Sequence, residues 1–254
     1  MRARTCAAAP ARASLNNMRL LITRPIEDAK PLARALEERG HEAVTEALMT
    51  ITDVAAPDLD LDGVQALLIT SANGIRAFAR AHLGRGLPVC AVGDASARAA
   101  LDLGFDQVSS AAGDVESLAA MVEKDWDVSG GALLHVAGSH RAGDLAGMLT
   151  LAGFEMCRVV LYEAKAAETL GTKTADALKG GNLDGVLLFS PRTAALFCRL
   201  VTDGGLVELC SPVIACCLSA AVADEAAALP WAGIVVAETP DAQALLDTVE
   251  KAAG

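Results

Sequence analysis

The chain has 254 residues, enough for one large α/β domain or for two domains of about 100–130 residues each. Apolar residues make up 53% of it and aromatic residues only 3%, which excludes a disordered chain and predicts cores built mainly from Ala, Leu and Val. The net charge of −11, without a basic cluster beyond the first residues, excludes nucleic acid as a partner. We adopt two domains as the working prediction.

The first 17 residues differ in composition from the rest of the chain. They contain arginines but no acidic residue, as a transit peptide would, yet they lack the apolar core of a secretory signal. We interpret 1–17 as a disordered extension, or as the product of an upstream start codon with Met18 as the true first residue, and exclude it from the fold. No uncharged apolar run reaches the roughly 18 residues of a membrane span, so no membrane partner is predicted.

Cysteine and histidine usage gives no sign of a metal site. The seven cysteines lie mostly in apolar runs without C-x-x-C spacing, which is typical of buried thiols in a reducing compartment. The four histidines are scattered, and the glycine-rich motifs of nucleotide-binding loops are absent. The sequence therefore predicts a cytoplasmic protein and disfavours a metal site, a nicotinamide cofactor and a bound nucleotide triphosphate.

Apolar runs of strand length recur along the chain. They are continuous rather than alternating, which is typical of strands buried on both faces of a parallel sheet. Helical patterns lie between most of them; the first, over 28–39, places Leu32 and Leu36 on one face and stops at Gly40. The pattern predicts an α/β fold of the doubly wound, open-sheet kind. The predicted strands are 20–23, 64–70, 87–92, 132–137, 157–162, 185–190, 212–218 and 233–237.

Several segments of the first half recur in the second. LLITSANGIRAFAR at 67–80 is matched by LLFSPRTAALFCR at 187–199, with Ser190 in the place of Ser71 and Phe197 in the place of Phe78. Two further matches occur in the same order, so we infer duplication of one α/β unit. The default ligand site for such a pair is a cleft between the halves.

Small, hydroxyl-bearing or glycine-containing segments follow six of the predicted strands. Ligands of open parallel sheets bind beyond these strand ends, where helix N-termini favour anions. The alternative is that the Ser, Thr and Asn side chains only cap the helices that follow, and the sequence leaves both readings open. The segments are 23–25, 70–74, 93–96, 138–141, 190–193 and 219–221.

Tyr162 is the only tyrosine, and it ends an apolar run. It is either an amphipathic side chain half-buried at a domain junction or a phenol that meets the ligand as a hydrogen-bond donor or weak acid.

An ordered set of these strand-end patches resembles the uroporphyrinogen-III synthase family from about Met18 to the C-terminus. The patches are ITRP at 22–25, TSANGIRA at 70–77, AVGDASARAALDLGF at 91–105, GSHRAGDL at 138–145, VVLYEA at 159–164, FSPRTA at 189–194 and CLSAAVA at 217–223. The resemblance implies an α/β fold of two flavodoxin-like lobes with parallel sheets, joined by a two-stranded ribbon, with the ligand cleft between the lobes. Lobe one would be 18–44 plus 166–254, lobe two 52–158, and the ribbon 45–51 and 159–165.

The implied reaction cyclises hydroxymethylbilane, a linear tetrapyrrole with eight carboxylates, to uroporphyrinogen III on the way to haem and sirohaem. Ring D is inverted, water is lost and no cofactor takes part. The implied protein is a monomer, with transient contact with the enzyme that supplies hydroxymethylbilane. The residues alone leave a second function open: a non-catalytic protein of two lobes that binds a small anion or a phosphosugar.

Site residues follow from the resemblance position by position. Tyr162 matches the tyrosine that assists loss of the hydroxyl group. The chain departs from the family at CLSAAVA, where relatives commonly carry Gly-Pro-Thr-Thr, so hydroxyls are missing there and Ser219 would have to compensate. The implied substrate-binding residues are Thr23, Arg24, Ser71, Asn73, Gly93, Ser96, Gly138, Arg141, Ser190, Arg192, Thr193 and Ser219.

Overall fold

A computed structural model describes residues 17–55, 59–140 and 143–253. The predicted extension therefore lies, apart from Asn17, outside the described residues. The chain divides into two compact units. Unit 1 combines the residues up to Met49 with those from Ala166 onward, and unit 2 is Thr50–Lys165.

Unit 1 contains a five-stranded parallel sheet in the order β11-β10-β9-β1-β2. Its helices are α1, Ile26–Glu38; α6, Thr172–Lys179; α7, Pro191–Asp203; α8, Ala220–Ala226; and α9, Ala242–Ala253. Its strands are β1, Arg19–Ile22; β2, Glu42–Thr45; β9, Gly185–Leu188; β10, Ile214–Cys217; and β11, Gly233–Val236.

Unit 2 contains a six-stranded sheet in the order β3-β8-β7-β4-β5-β6. Its helices are α2, Ala72–Ala81; α3, Asp94–Asp102; α4, Val115–Asp125; and α5, Leu145–Leu151. Its strands are β3, Met49–Asp53; β4, Val64–Ile69; β5, Val89–Ala91; β6, Val108–Ser110; β7, Ala132–Gly138; and β8, Met156–Ala166.

The strands from β8 to β6 are parallel, whereas β3 is antiparallel to β8. The N–H of Val54 donates to the carbonyl of Leu161, and the N–H of Ala167 donates to that of Leu48, so the partners advance in opposite directions. The chain passes from one unit to the other within these two strands.

Burial on both faces of each sheet explains the continuous apolar runs. In unit 2, Leu67 and Ile69 pack with Phe78 on one face of the sheet, while Leu68 and Leu133 pack on the other face. In unit 1, α1 places Leu36 against the sheet and ends before Gly40, whose φ of 85° suits the left-handed turn that glycine adopts without strain.

The α/β fold with two mainly parallel sheets is confirmed. All eight predicted strands occur, with ends that differ by a few residues. Within the described residues, three strands lie outside the predicted apolar runs: β2, β3 and β6, of which β3 overlaps the ribbon segment 45–51 that the resemblance implies. They are short edge strands with partly exposed side chains, so they lack the apolar run that marks a central strand. The implied lobe limits and the cleft stay predictions.

Candidate functional site

In unit 2 the polar stretch after β4 forms the start of α2. Ser71 is the N-cap, and its hydroxyl oxygen accepts a hydrogen bond from the N–H of Asn73 at 3.2 Å. Both side chains are half-buried. The first turn of α2 carries no acidic residue, so no carboxylate of its own offsets the partial positive charge at this helix end.

Gly74, in the first turn of α2, brings this helix close to β7. A Cβ atom at position 74 would lie 2.8 Å from the carbonyl oxygen of Val136, closer than side-chain Cβ atoms come to other atoms. The absence of a side chain therefore sets how near the start of α2 lies to the end of β7.

Tyr162 lies beside this point, on the neighbouring strand β8. It pairs with Gly138 across a register shift, and the N–H of Ser139 donates to its carbonyl oxygen at 3.0 Å. The half-buried ring packs against the core cluster of Ile69 and Phe78. Its phenol end lies where a side chain at position 138 would be. The structure thus brings Tyr162, Gly138 and the start of α2 together.

Three further polar side chains lie in or beside β7: Arg158, Thr70 and His135. Arg158 donates from Nη2 to the carbonyl oxygen of Gly138 at 2.7 Å. The hydroxyl of Thr70 lies 3.3 Å from Nε2 of the half-buried His135. No sequence pattern singles out Arg158 or His135, because their place beside Gly138 and Thr70 depends on strand register.

The strand end at β5 is arranged differently from that at β4. Gly93 is the N-cap of α3, and Ser96 in its first turn is buried. Asp94 also lies in this first turn and accepts a hydrogen bond from the hydroxyl of Ser110 at 2.6 Å. Because Asp94 places a carboxylate at the helix end, α3 is a weaker site for an anion than α2.

In unit 1, α7 repeats the arrangement of α2. Ser190 is the N-cap and accepts from the N–H of Thr193 at 3.2 Å, and the two hydroxyls lie 2.8 Å apart. The first turn again carries no acidic residue, and it adds the exposed Arg192.

The strand end at β1 uses its polar side chains within unit 1. Thr23 is fully buried, and its hydroxyl donates to the carbonyl of Leu187 at 2.8 Å, so this side chain faces the sheet. Arg24 pairs with Asp28 at 2.8 Å and lies over the ring of Phe189, 4.9 Å from its centroid. Asp28 and Phe189 thus hold Arg24 in place, and no sequence motif indicates these contacts.

Of the other predicted site residues, Ser219 is the half-buried N-cap of α8, and its side chain makes no capping hydrogen bond. Arg141 lies outside the described residues. Within 17–55, 59–140 and 143–253 no group of three or more His, Cys, Asp or Glu side chains could hold a metal ion. No helix in the described part of the chain combines the length and apolar character needed to cross a membrane.

The fold and these strand ends define a doubly wound α/β protein with two units. In each unit a helix without acidic residues in its first turn begins at the carboxyl edge of the sheet. The family model described as uroporphyrinogen-III synthase HemD matches residues 30–247. The chain belongs to this family. It is thus a cyclising lyase, an enzyme of tetrapyrrole biosynthesis. The substrate of the family is hydroxymethylbilane.

Solved structures agree on the fold. A uroporphyrinogen-III synthetase from Helicobacter pylori has a TM-score of 0.61 and 16% identity, over 92% of this chain and 99% of that one. A mutant uroporphyrinogen III synthase from Thermus thermophilus has a TM-score of 0.57 and 16% identity, over 92% of this chain and 98% of that one. At this identity the likeness concerns the fold alone. A search of curated protein sequences gives no significant match.

Proposed function

We propose that the chain converts hydroxymethylbilane to uroporphyrinogen III, with inversion of ring D and loss of water, and that Tyr162 assists departure of the terminal hydroxyl. The observation that carries this assignment is the position of Tyr162. The one phenol of the chain lies at the carboxyl edge of a parallel sheet, beside the start of α2, in a protein whose family performs this cyclisation.

The cyclisation requires few acidic or basic side chains from the protein. Loss of the hydroxyl leaves a cation that the pyrroles stabilise with their own electrons, and the same pyrroles supply the attacking carbon. The protein has to hold one conformation, prevent the spontaneous closure without inversion and assist the leaving hydroxide. A phenol is an O–H donor, so Tyr162 can donate a hydrogen bond or a proton to the oxygen that leaves.

The helix N-termini of α2 and α7 are the proposed sites for substrate carboxylates. Backbone N–H groups and the helix dipole both favour an anion there, and neither first turn contains an acidic residue. Asn73 in α2 and Arg192 in α7 lie in these first turns and add donors. An arginine can bind both oxygens of one carboxylate, so Arg192 is expected to bind a substrate carboxylate more strongly than Asn73 does.

The remaining predicted residues have smaller or less direct proposed roles. Ser71, Ser190 and Thr193 shape the two helix ends, and Gly93, Ser96 and Ser219 line the neighbouring strand ends. Arg24 would have to leave or share Asp28 to bind a carboxylate. Thr23 can contribute only through its backbone, because its hydroxyl is already bonded to Leu187. Arg141 stays a predicted carboxylate partner.

We further propose that the enzyme acts as a monomer in the cytoplasm, without a cofactor, and contacts the enzyme that supplies hydroxymethylbilane only transiently. All six cysteines within the described residues are free thiols, as expected in a reducing compartment. Transient delivery would limit the time in which the unstable substrate closes without inversion.

The test is the isomer ratio of the product. The purified chain is coupled to an enzyme that generates hydroxymethylbilane, the products are oxidised, and the type III and type I uroporphyrins are separated by chromatography. We expect type III to predominate. Type I alone from a folded sample, which is the spontaneous product, would contradict the proposal and favour a protein that binds a small anion or a phosphosugar without turnover.

A further inference from the structure

The ring of Tyr162 occupies the space that a side chain at position 138 would need. A Cβ atom on Gly138 would lie 2.8 Å from both Cε2 and Cζ of Tyr162 and 3.1 Å from its hydroxyl oxygen. Side-chain Cβ atoms essentially never approach other atoms to less than 3.0 Å. These three atoms belong to the hydroxyl end of the ring, so a side chain at 138 would displace the part of Tyr162 that meets the substrate.

We propose that Gly138 is a positioning residue for the phenol of Tyr162 rather than a contact for the substrate. This inference rests on the proposed function, in which Tyr162 assists departure of the hydroxyl. It changes the role that the sequence resemblance implied for Gly138, which was substrate binding.

The backbone of Gly138 gives no other reason for a glycine. Eight glycines of the described residues have positive φ angles, which side chains rarely adopt, and Gly138 is not one of them. An alanine at position 138 would therefore fit the backbone conformation. What it would not fit is the ring of Tyr162.

The backbone around the ring is held by hydrogen bonds. Arg158 donates to the carbonyl of Gly138 at 2.7 Å, and Ser139 donates to the carbonyl of Tyr162 at 3.0 Å. Gly138 and Tyr162 themselves lie in neighbouring strands of the same sheet. When a Cβ atom is added at 138, the phenol is therefore the part that moves, because it is the outer end of a side chain and the strands are tied together.

Gly74 marks the other edge of the ring. A Cβ atom at position 74 would lie 3.9 Å from Cε1 of Tyr162, an ordinary contact, but only 2.8 Å from the carbonyl oxygen of Val136. A side chain at 74 would thus push α2 away from β7 and leave the ring nearly in place. Gly138 is the position at which the ring alone can be displaced.

The experiment compares Gly138→Ala with Gly86→Ala. Gly86 is in the same unit, has no positive φ, and a Cβ atom there would meet no atom within 4 Å. We expect Gly138→Ala to lower kcat about 10- to 100-fold with KM unchanged, since misplacement of a catalytic group by about 1 Å costs this much while the binding groups stay in place. Gly86→Ala should leave kcat and KM unchanged.

A spectroscopic measurement follows the ring directly. Because the chain has one tyrosine, isotope-labelled tyrosine gives one set of ring signals in an NMR spectrum, and Tyr162→Phe identifies them by their loss. Gly138→Ala should shift these signals and Gly86→Ala should not. Unshifted signals in Gly138→Ala would overturn the inference, whatever the activity.

A double-mutant cycle separates this inference from the proposed function. If Gly138 acts through the phenol hydroxyl, Gly138→Ala will reduce kcat much less in the Tyr162→Phe background than in the wild type. Equal losses in both backgrounds would overturn the positioning role. If Tyr162→Phe alone left kcat unchanged, the proposed role of Tyr162 would fail, while the NMR shift would still report whether Gly138 places the ring.

Discussion

The helices α2 and α7 begin in the same way but differ at their third residue. In each, a serine after a buried strand caps the helix, and a phenylalanine seven residues later is buried in the core. The third helical residue is Gly74 in α2 and Thr193 in α7. Thr193 bonds to its own cap serine, whereas Gly74 lets the end of β7 and the ring of Tyr162 approach.

This difference separates two helix starts that otherwise match in their capping. Both have a serine-capped N-terminus that suits a carboxylate, so both can bind a substrate with many carboxylates. Only in α2 does the third residue lack a side chain and leave the helix start beside a phenol. We therefore expect anion binding to depend on both units and the loss of hydroxyl to depend on unit 2.

The largest expected effect is a difference between the two units in stability at alkaline pH. In unit 1, burial raises the pKa of the Cys216 and Cys217 thiols from 9.0 to about 12 and that of Cys198 and Cys210 to about 11. In unit 2 burial raises one such pKa, that of Cys90, to about 11. Above pH 9 the unfolded thiols ionise and the folded ones do not, so stability that is present below pH 9 is lost as the pH rises towards 11–12.

Unit 1 should therefore unfold at lower alkaline pH than unit 2. The two tryptophans allow each unit to be followed, because Trp231 stacks on Phe197 in unit 1 and Trp126 packs in unit 2. Single-tryptophan variants would be titrated and their fluorescence recorded. Cys216→Ala should raise the pH at which the Trp231 signal changes, once any loss of the variant's stability at neutral pH is taken into account. Coincident transitions of both signals would contradict the expected order.

The second effect concerns Tyr162. Replacing it with Phe should lower kcat on the order of 100-fold, the lower end of what a positioned proton donor contributes. Folding should be intact, since the ring and its packing are retained. The measurement is kcat for type III product, with circular dichroism as the control for folding. An unchanged kcat would remove the phenol from the mechanism.

A reciprocal exchange tests the difference between the helices. Gly74→Thr should destabilise the protein by about 1–3 kcal/mol, the cost of overpacking, because a Cβ atom there would meet the carbonyl of Val136 at 2.8 Å. Thr193→Gly should cost about 1 kcal/mol, from the lower helix propensity of glycine together with loss of the hydroxyl contact with Ser190. Chemical denaturation measures both. Equal costs would mean that the closeness of α2 to β7 has no energetic consequence.

Much of the fold could be predicted because buried strands leave continuous apolar runs. The runs at 20–23 and 185–190 became β1 and β9, which pair in the sheet of unit 1. The edge strands β2 and β6 could not be found, since partly exposed short strands resemble loops in sequence. The site was only partly predictable for a similar reason. Ser71 and Ser190 stand in a repeated pattern, but the roles of Gly138, Gly74 and Arg158 arise from which strands are neighbours.

The smallest expected effects concern the two cap serines, and they test whether the shared feature of the units is structural or functional. Ser71→Ala and Ser190→Ala each remove one bond to a helix N–H, at 3.2 Å in both cases, and should each cost about 1 kcal/mol of stability. If the helix ends also bind carboxylates, each variant will raise KM as well. The matched control is Asp114→Ala, which removes the cap of α4. That cap is itself a carboxylate, so the start of α4 is a poor site for an anion, and its loss should lower stability without raising KM. An equal rise in KM in all three variants would show that the serines act only as caps.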